Sequence, residues 1–243
     1  MSTIGTGITT GMVLAAGLGT RLRPITDSMP KPLVTVNGKT LLDRALDHLV
    51  LAGVELAVVN LHYKADMIES HLTRRAKPSI LFSAEETLLD TGGGIAKALP
   101  HLGDPFFVIN SDAVWVDGRV PALSRLARAW QPDRHDALLL VQPTVTAIGH
   151  DGPGDFFLDQ WGIPRRRRER EIVPFLYAGV QILTHRLFAG EVDGKFSANR
   201  LWDKAIERGR IACVIHDGDW FDVGNPAGLA ATEAELAWPS LRR

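Results

Sequence analysis

The segment Gly11-Met12-Val13-Leu14-Ala15 constrains the fold more than any other stretch, because it is apolar on both faces and runs straight into a loop of small residues. A strand with no polar face belongs in the middle of a sheet covered on both sides, which predicts an α/β fold with a mainly parallel sheet flanked by helices. In such sheets ligands bind beyond the carboxyl ends of the strands, so the loop after Ala15 is the expected place for one. The loop reads Ala15-Ala16-Gly17-Leu18-Gly19-Thr20-Arg21, and Pro30-Lys31-Pro32 follows shortly after. Small residues let backbone amides lie against phosphate oxygens. The fork of Arg21 and a Lys31 stiffened between two prolines balance the charge. The segment is therefore expected to cradle a polyphosphate. A dinucleotide-binding loop needs a third glycine where Leu22 stands, and a Walker-type loop needs a Gly-Lys-Ser or Gly-Lys-Thr that is absent. The plain alternative is a tight turn with Arg21 in a surface ion pair.

Further along, apolar spacing predicts a helix over 40–52 closed by Gly53, and strands over 56–60, 80–83, 106–110 and 137–141. Helices are expected over 66–74 and 94–99. The second half reads as longer, partly amphipathic strands over 155–159 and 172–183 around a charged loop, then a helix over 196–208, a strand over 211–215 and a closing helix over 226–237. Residues 1–10 are expected to be a disordered lead-in and 11–243 a single domain. A net charge of -1 gives no general attraction for nucleic acid or an anionic membrane, so any anion site must be local. No long apolar run or secretion signal is present, and the single cysteine, Cys213, allows no internal disulfide or cysteine metal cluster. A cytoplasmic protein is expected.

The pattern Gly-x-Gly-Thr-Arg-x-x-Pro-x-Thr over residues 17–26, with Pro30-Lys31-Pro32 downstream, resembles the signature of the sugar-1-phosphate nucleotidyltransferases. The resemblance implies a Rossmann-like mixed sheet of the nucleotide-diphospho-sugar transferase kind, with a nucleotide-binding half (11–141) and a small sugar-binding β subregion in the remainder. It implies a nucleoside triphosphate and a sugar 1-phosphate as partners, with neither nucleic acid nor membrane, in a monomer or small homo-oligomer. Arg21, Lys31 and Asp112 are its implied catalytic residues. Asp112 and Asp222, each at a strand end, are the implied holders of Mg2+, although an aspartate so placed can equally cap a helix. Ala15, Ala16, Gly17, Gly19, Thr20, Arg21 and Lys31 are implied nucleotide contacts, with Glu85 and Gly92 against the base. Asn110, Gly154, Asp155 and Gly179 are implied sugar contacts.

Within the family the fit is nearest the short enzymes that join UTP to N-acetylmuramate 1-phosphate. Shared features are the Thr91-Gly92-Gly93-Gly94 run and the Gly152-Pro153-Gly154-Asp155-Phe156 turn. A guanylyltransferase acting on mannose or heptose 1-phosphate is the alternative, and a non-catalytic nucleotide-sugar sensor a second. Sensors of that sort tend to lose the arginine, the lysine or an aspartate, all of which stand here. The chain departs from the family pattern in three places. Ser111 stands in the usual Asn-Gly-Asp, Asn225 replaces a common threonine, and Arg170-Glu171-Ile172-Val173-Pro174 lacks the lysine that grips the sugar phosphate in longer members. The run Arg165-Arg166-Arg167-Arg168 reads as solvated surface and is left outside the site.

Overall fold

In the computed structural model, which describes residues 7–191 and 194–237, the opening strand β1 (Thr10–Leu14) has a parallel neighbour on each side. The first half continues with α1 (Ile25–Ser28), the two-residue strands β2 (Thr35–Val36) and β3 (Lys39–Thr40), α2 (Leu41–Leu51), β4 (Leu56–Leu61), α3 (Ala65–Leu72), β5 (Ser79–Ala84), α4 (Asp90–Ala98) and β6 (Phe106–Asn110). After it come β7 (Ala113–Val116), α5 (Ala122–Ala129), β8 (Ala137–Pro143), β9 (Ala147–Ile148), β10 (Phe156–Leu158), β11 (Pro164–Arg166), β12 (Phe175–Leu183), α6 (Ala198–Glu207), β13 (Ile211–Ile215), β14 (Asp219–Asp222) and α7 (Pro226–Ala237).

The strands β5, β4, β1 and β6 lie side by side and parallel, so their carboxyl ends open on one edge of the sheet. β12 then joins β6 antiparallel and carries β10, β11, β8 and β13 with it, giving a mixed, mainly parallel sheet of nine strands. A smaller sheet, β7-β14-β9, stands beside it. Alternate residues of β1 explain why both faces had to be apolar. Val13 packs with Leu42, Leu46 and Leu49 of α2, while Met12 on the other face packs with Ile95 of α4 and Leu201 of α6. Each fully buried side chain of this size contributes roughly 1.5–3 kcal/mol. α2 begins where the Thr40 hydroxyl accepts the Asp43 N–H at 3.0 Å, and it ends at Gly53, whose φ of 86° suits the position after a helix. No helix among the described residues is long and apolar enough to cross a membrane.

Some boundaries differ from expectation. Of the lead-in, residues 1–6 lie outside the described residues, but Ile8 is already buried and the Thr9 carbonyl accepts the Glu55 N–H at 2.8 Å. α4 begins at Asp90 rather than at Gly94, so the whole glycine run lies inside it. β7, α5 and β14 were not read from the sequence. The two strands are four residues long and owe their burial to Trp115, Trp220 and Phe221, whose spacing carries no period of its own.

Two positions hold the second half in place. β12 changes register against β8 between Tyr177 and Gln181, and Gly179, at φ 82°, lies in that irregularity. A Cβ there would stand 2.7 Å from the Ala113 Cβ. Gly179→Ala is expected to cost about 1–3 kcal/mol from backbone strain and overpacking, read as a lowered urea midpoint. An unchanged midpoint would mean the bulge can relax.

Asp117 ties β7 to α2 and α5. It accepts the Trp115 indole N–H and the Ala122 N–H, each at 2.8 Å, and stands 3.6 Å from His48, whose ring stacks on Trp115. Burial pushes its pKa up, but hydrogen bonds from His48, Ala122 and Trp115 outweigh this and leave it lowered. The stabilisation is therefore present above the ordinary carboxylate range and lost as pH falls through the depressed value. Asp117→Asn should be less stable than the parent at pH 7, with the gap in urea midpoint closing below about pH 4.

Candidate functional site

The carboxyl ends of β1, β4, β5 and β6 surround a cavity of about 470 Å³. Its wall takes in Ala15, Ala16, Gly17, Gly19, Thr20, Arg21, Lys31, Glu85, Asn110 and Asp112, so most of the residues expected to bind nucleotide come together. The loop geometry explains its sequence. Gly19 has φ 63°, and a Cβ on it would stand 2.9 Å from the Lys31 Cβ and 3.0 Å from the Thr26 methyl. The Thr26 hydroxyl donates to the Gly19 carbonyl at 2.8 Å, and Tyr63 donates to the Thr26 carbonyl at 2.9 Å. The signature threonine and second glycine thus close the loop onto the segment that carries Lys31.

Lys31 is nearly buried and donates to Asp112 Oδ2 at 2.6 Å, an ion pair aimed into the cavity. Arg21 makes no ion pair among the described residues. Its guanidinium lies against Gly224, where a Cβ would be 3.2 Å from one of its terminal nitrogens.

Asn60, at the end of β4, was missed from the sequence and organises the floor. Its Oδ1 accepts the Ala15 N–H at 2.7 Å, and its Nδ2 donates to Glu85 Oε1 at 2.7 Å. The other oxygen of Glu85 accepts the Leu89 N–H at 2.9 Å. Each oxygen of Glu85 thus accepts one hydrogen bond within the protein, which fixes the side chain as part of the cavity wall. The glycine run also serves packing. A Cβ on Gly92 would stand 2.5 Å from the Phe196 ring, one on Gly93 2.1 Å from the Gly194 carbonyl, and one on Gly94 2.8 Å from Glu85 Oε1. Gly92 therefore lies against Phe196 and not in the cavity wall, where Leu88, Asp90 and Thr91 stand instead. The Thr91 hydroxyl reaches across to accept the Ala198 N–H at 2.8 Å.

A smaller cavity of about 260 Å³ adjoins the first and shares Leu14, Asp90, Thr91 and Asn110 with it. Asp155 lines it and accepts the Tyr177 N–H at 2.8 Å; Tyr177, Gln181, Asn199 and Trp202 complete a mixed aromatic and amide lining. Gly154 and Gly179 do not line either cavity. They stand one layer behind, Gly154 against the Val173 carbonyl and Gly179 against Asn110 and Ala113. The Tyr177 hydroxyl has no hydrogen-bond partner among the described residues. Burial first, then the charge of Asp112, pushes that phenol well above its ordinary pKa, so it remains a proton donor.

The second expected carboxylate, Asp222, lines neither cavity but stands behind Gly224, which lines the larger one, at the end of a strand of the small sheet. β14 pairs antiparallel with β7 so that Asp222 lies opposite Ala113, next in sequence to Asp112. Asp222 Oδ1 accepts the Gly224 N–H at 2.7 Å, and its Oδ2 is 3.8 Å from His150. Asp112, in the turn just before β7, and Asp222, at the end of β14, are hard oxygen donors of the chemistry a magnesium-like ion takes, with further ligands left to phosphate and water. Among the described residues no group of three or more His, Cys, Asp or Glu side chains gathers into a fuller cage.

Residues 10–147 match the family described as Nucleotidyl transferase. The chain belongs to the nucleotidyltransferase family. It is 46% identical to an N-acetylmuramate alpha-1-phosphate uridylyltransferase of Caulobacter vibrioides over 93% of this chain and 96% of that protein. The protein of the same name from Neisseria meningitidis is 33% identical over 92% and 96%. A mannose-1-phosphate guanylyltransferase catalytic subunit beta of Drosophila melanogaster is 40% identical, but over only 46% of this chain and 31% of its own length. A solved UDP-glucose pyrophosphorylase, complexed with UDP-glucose, matches with a TM-score of 0.76 over 95% of this chain and 99% of that one, at 19% identity. HddC from Yersinia pseudotuberculosis, complexed with GMP-PN, gives 0.74 over 94% and 100%, at 21%. At such identities the likeness shows the shared fold.

In this nucleotidyltransferase the arginine run is only half solvated. Arg165 makes a two-pronged pair with Glu171 at 2.7 and 2.9 Å. Arg166 lies over the rings of Phe156 and Trp202 and donates to Asn199 at 2.9 Å, whereas Arg167 and Arg168 are exposed. Arg166 joins the β10-β11 hairpin to α6, Arg165 ties the hairpin to Glu171, and neither lines either of the two cavities. Lys195, which does line the larger cavity, was not singled out in the sequence because no motif surrounds it.

Proposed function

We propose that this nucleotidyltransferase joins UTP to N-acetylmuramate 1-phosphate, forming the UDP-sugar and pyrophosphate. The observation that carries the choice of substrate is the match over nearly the whole length of both chains to the Caulobacter uridylyltransferase, where the mannose guanylyltransferases match less than half of this chain. The cavities support the same reading. A phosphate-sized loop with cations opens into a chamber whose aromatic and amide lining suits a hydroxylated ring. Cys213 is free and makes no demand for an oxidising compartment, in keeping with a cytoplasmic setting.

An oxygen of the sugar phosphate attacks the α-phosphorus in line, a new P–O bond forms, and the bridge to the β-phosphate breaks. The attacking oxygen is already ionised at neutral pH, so no general base is required, and catalysis is positioning plus charge neutralisation. The amides after Ala15 receive the triphosphate, and Arg21 and Lys31 draw charge towards the departing pyrophosphate. Asn60 holds the Ala15 amide in place from below. Asp112 and Asp222 are the residues that would hold a divalent cation, which when bound would supply charge neutralisation to the reacting phosphates. Asp155, Asn110 and the Tyr177 hydroxyl face the sugar.

A panel of UTP, GTP, dTTP and CTP crossed with N-acetylmuramate, N-acetylglucosamine, mannose, heptose and glucose 1-phosphates, followed by pyrophosphate release, tests this. Turnover should be highest with UTP and N-acetylmuramate 1-phosphate. Preference for GTP with mannose or heptose 1-phosphate would replace the assignment with the guanylyltransferase one.

A further inference from the structure

We propose that Lys195 is the residue that grips the phosphate of the incoming sugar 1-phosphate. This rests on reading the cavity as the place where a nucleoside triphosphate and a sugar phosphate condense.

Three cationic side chains line the larger cavity, namely Arg21, Lys31 and Lys195. Lys31 is committed to Asp112, and Arg21 lies beside Gly224. Among the described residues Lys195 makes no ion pair or hydrogen bond. The lysine that serves longer relatives is missing from the stretch Arg170-Glu171-Ile172-Val173-Pro174; of the arginines in and beside it, Arg165 and Arg166 are held by Glu171, Asn199 and aromatic rings, Arg167, Arg168 and Arg170 are exposed, and none lines either cavity.

The backbone around Lys195 is fixed in position. Gly93 donates to the Phe196 carbonyl at 3.0 Å, Phe196 donates to the Leu89 carbonyl at 3.1 Å, and Ala198 donates to the Thr91 hydroxyl at 2.8 Å. The glycines of α4 let this strip lie flat on the helix start. Directly after Lys195, Ser197, Ala198 and Asn199 line the smaller cavity, while Lys195 itself lines the larger. Asp90 and Thr91, at the helix start beside the strip, line both. Lys195 thus emerges at the boundary between the two chambers. That boundary is where the attacking phosphate must sit, because it is bonded to the sugar and is about to bond to the α-phosphorus. A dianionic phosphomonoester there lies close to the carboxylates of Asp90 and Asp112, and a long, flexible ammonium at the rim can meet it as a point charge.

The test compares wild type with Lys195→Met and Lys195→Arg in the pyrophosphate-release assay. Lys195→Met should raise KM for the sugar phosphate roughly ten- to hundredfold, leave KM for UTP within about twofold, and be largely rescued in Lys195→Arg. An unchanged KM for sugar phosphate, or a rise confined to UTP, overturns the proposal. Since the side chain is exposed, the thermal midpoint should be the same in all three. If the wild type turns over no sugar phosphate in the panel, the functional reading falls, and calorimetric titration with inorganic phosphate decides Lys195 by itself. With a non-hydrolysable UTP analogue bound, weaker phosphate binding in Lys195→Met supports the assignment and equal affinity overturns it.

Discussion

Replacing Asp112 with asparagine should leave a folded protein whose turnover falls about a thousandfold, the upper range for loss of one charge-stabilising group, with no recovery at any magnesium concentration. The carboxylate stands at the meeting of β6, β7 and the phosphate loop, bonded to Lys31 at 2.6 Å. Asparagine keeps the shape and removes the charge, so the lysine loses its counter-ion and the proposed divalent-cation site loses one of its two carboxylates. The loss should fall on kcat in a pyrophosphate-release assay, while the thermal midpoint moves little because the side chain is partly exposed. Turnover at the wild-type level would remove Asp112 from the reaction.

Lys31→Ala should lower kcat about a hundredfold or more, with a smaller effect on KM for the sugar phosphate. Lys31 is held by the turn between its two prolines, by contact with Gly19 and by Asp112, so its ammonium arrives with little orientation left to lose. A change confined to sugar affinity would contradict the role. Because Lys31 and Asp112 share one ion pair, the double variant should lose markedly less than the product of the two single losses. Strict multiplication would mean that the pair observed here is not used in the reaction.

Much of the nucleotide half was legible because its restrictions are local. A strand buried on both faces must be apolar at every position, and a loop that closes over a lysine must have a glycine where the Lys31 side chain would meet a Cβ. Both leave traces in consecutive residues. Glu85, Gly92 and Gly179 were placed in the right neighbourhood, but their contacts were not readable. Whether Glu85 faces a ligand or Asn60 depends on a strand paired from a distant part of the chain, and the glycine run owes its composition to Phe196 and Gly194, a hundred residues further on. Lys195 was invisible for the same reason. Nothing beside it in sequence says that the strip will lie on α4.

The wall common to the two chambers has a consequence for how the substrates sense one another. If the two substrates occupy the two chambers as proposed, both press on Leu14, Asp90, Thr91 and Asn110, and by linkage any influence of one on the binding of the other is mutual. A titration of either substrate is therefore expected to shift when its companion is present.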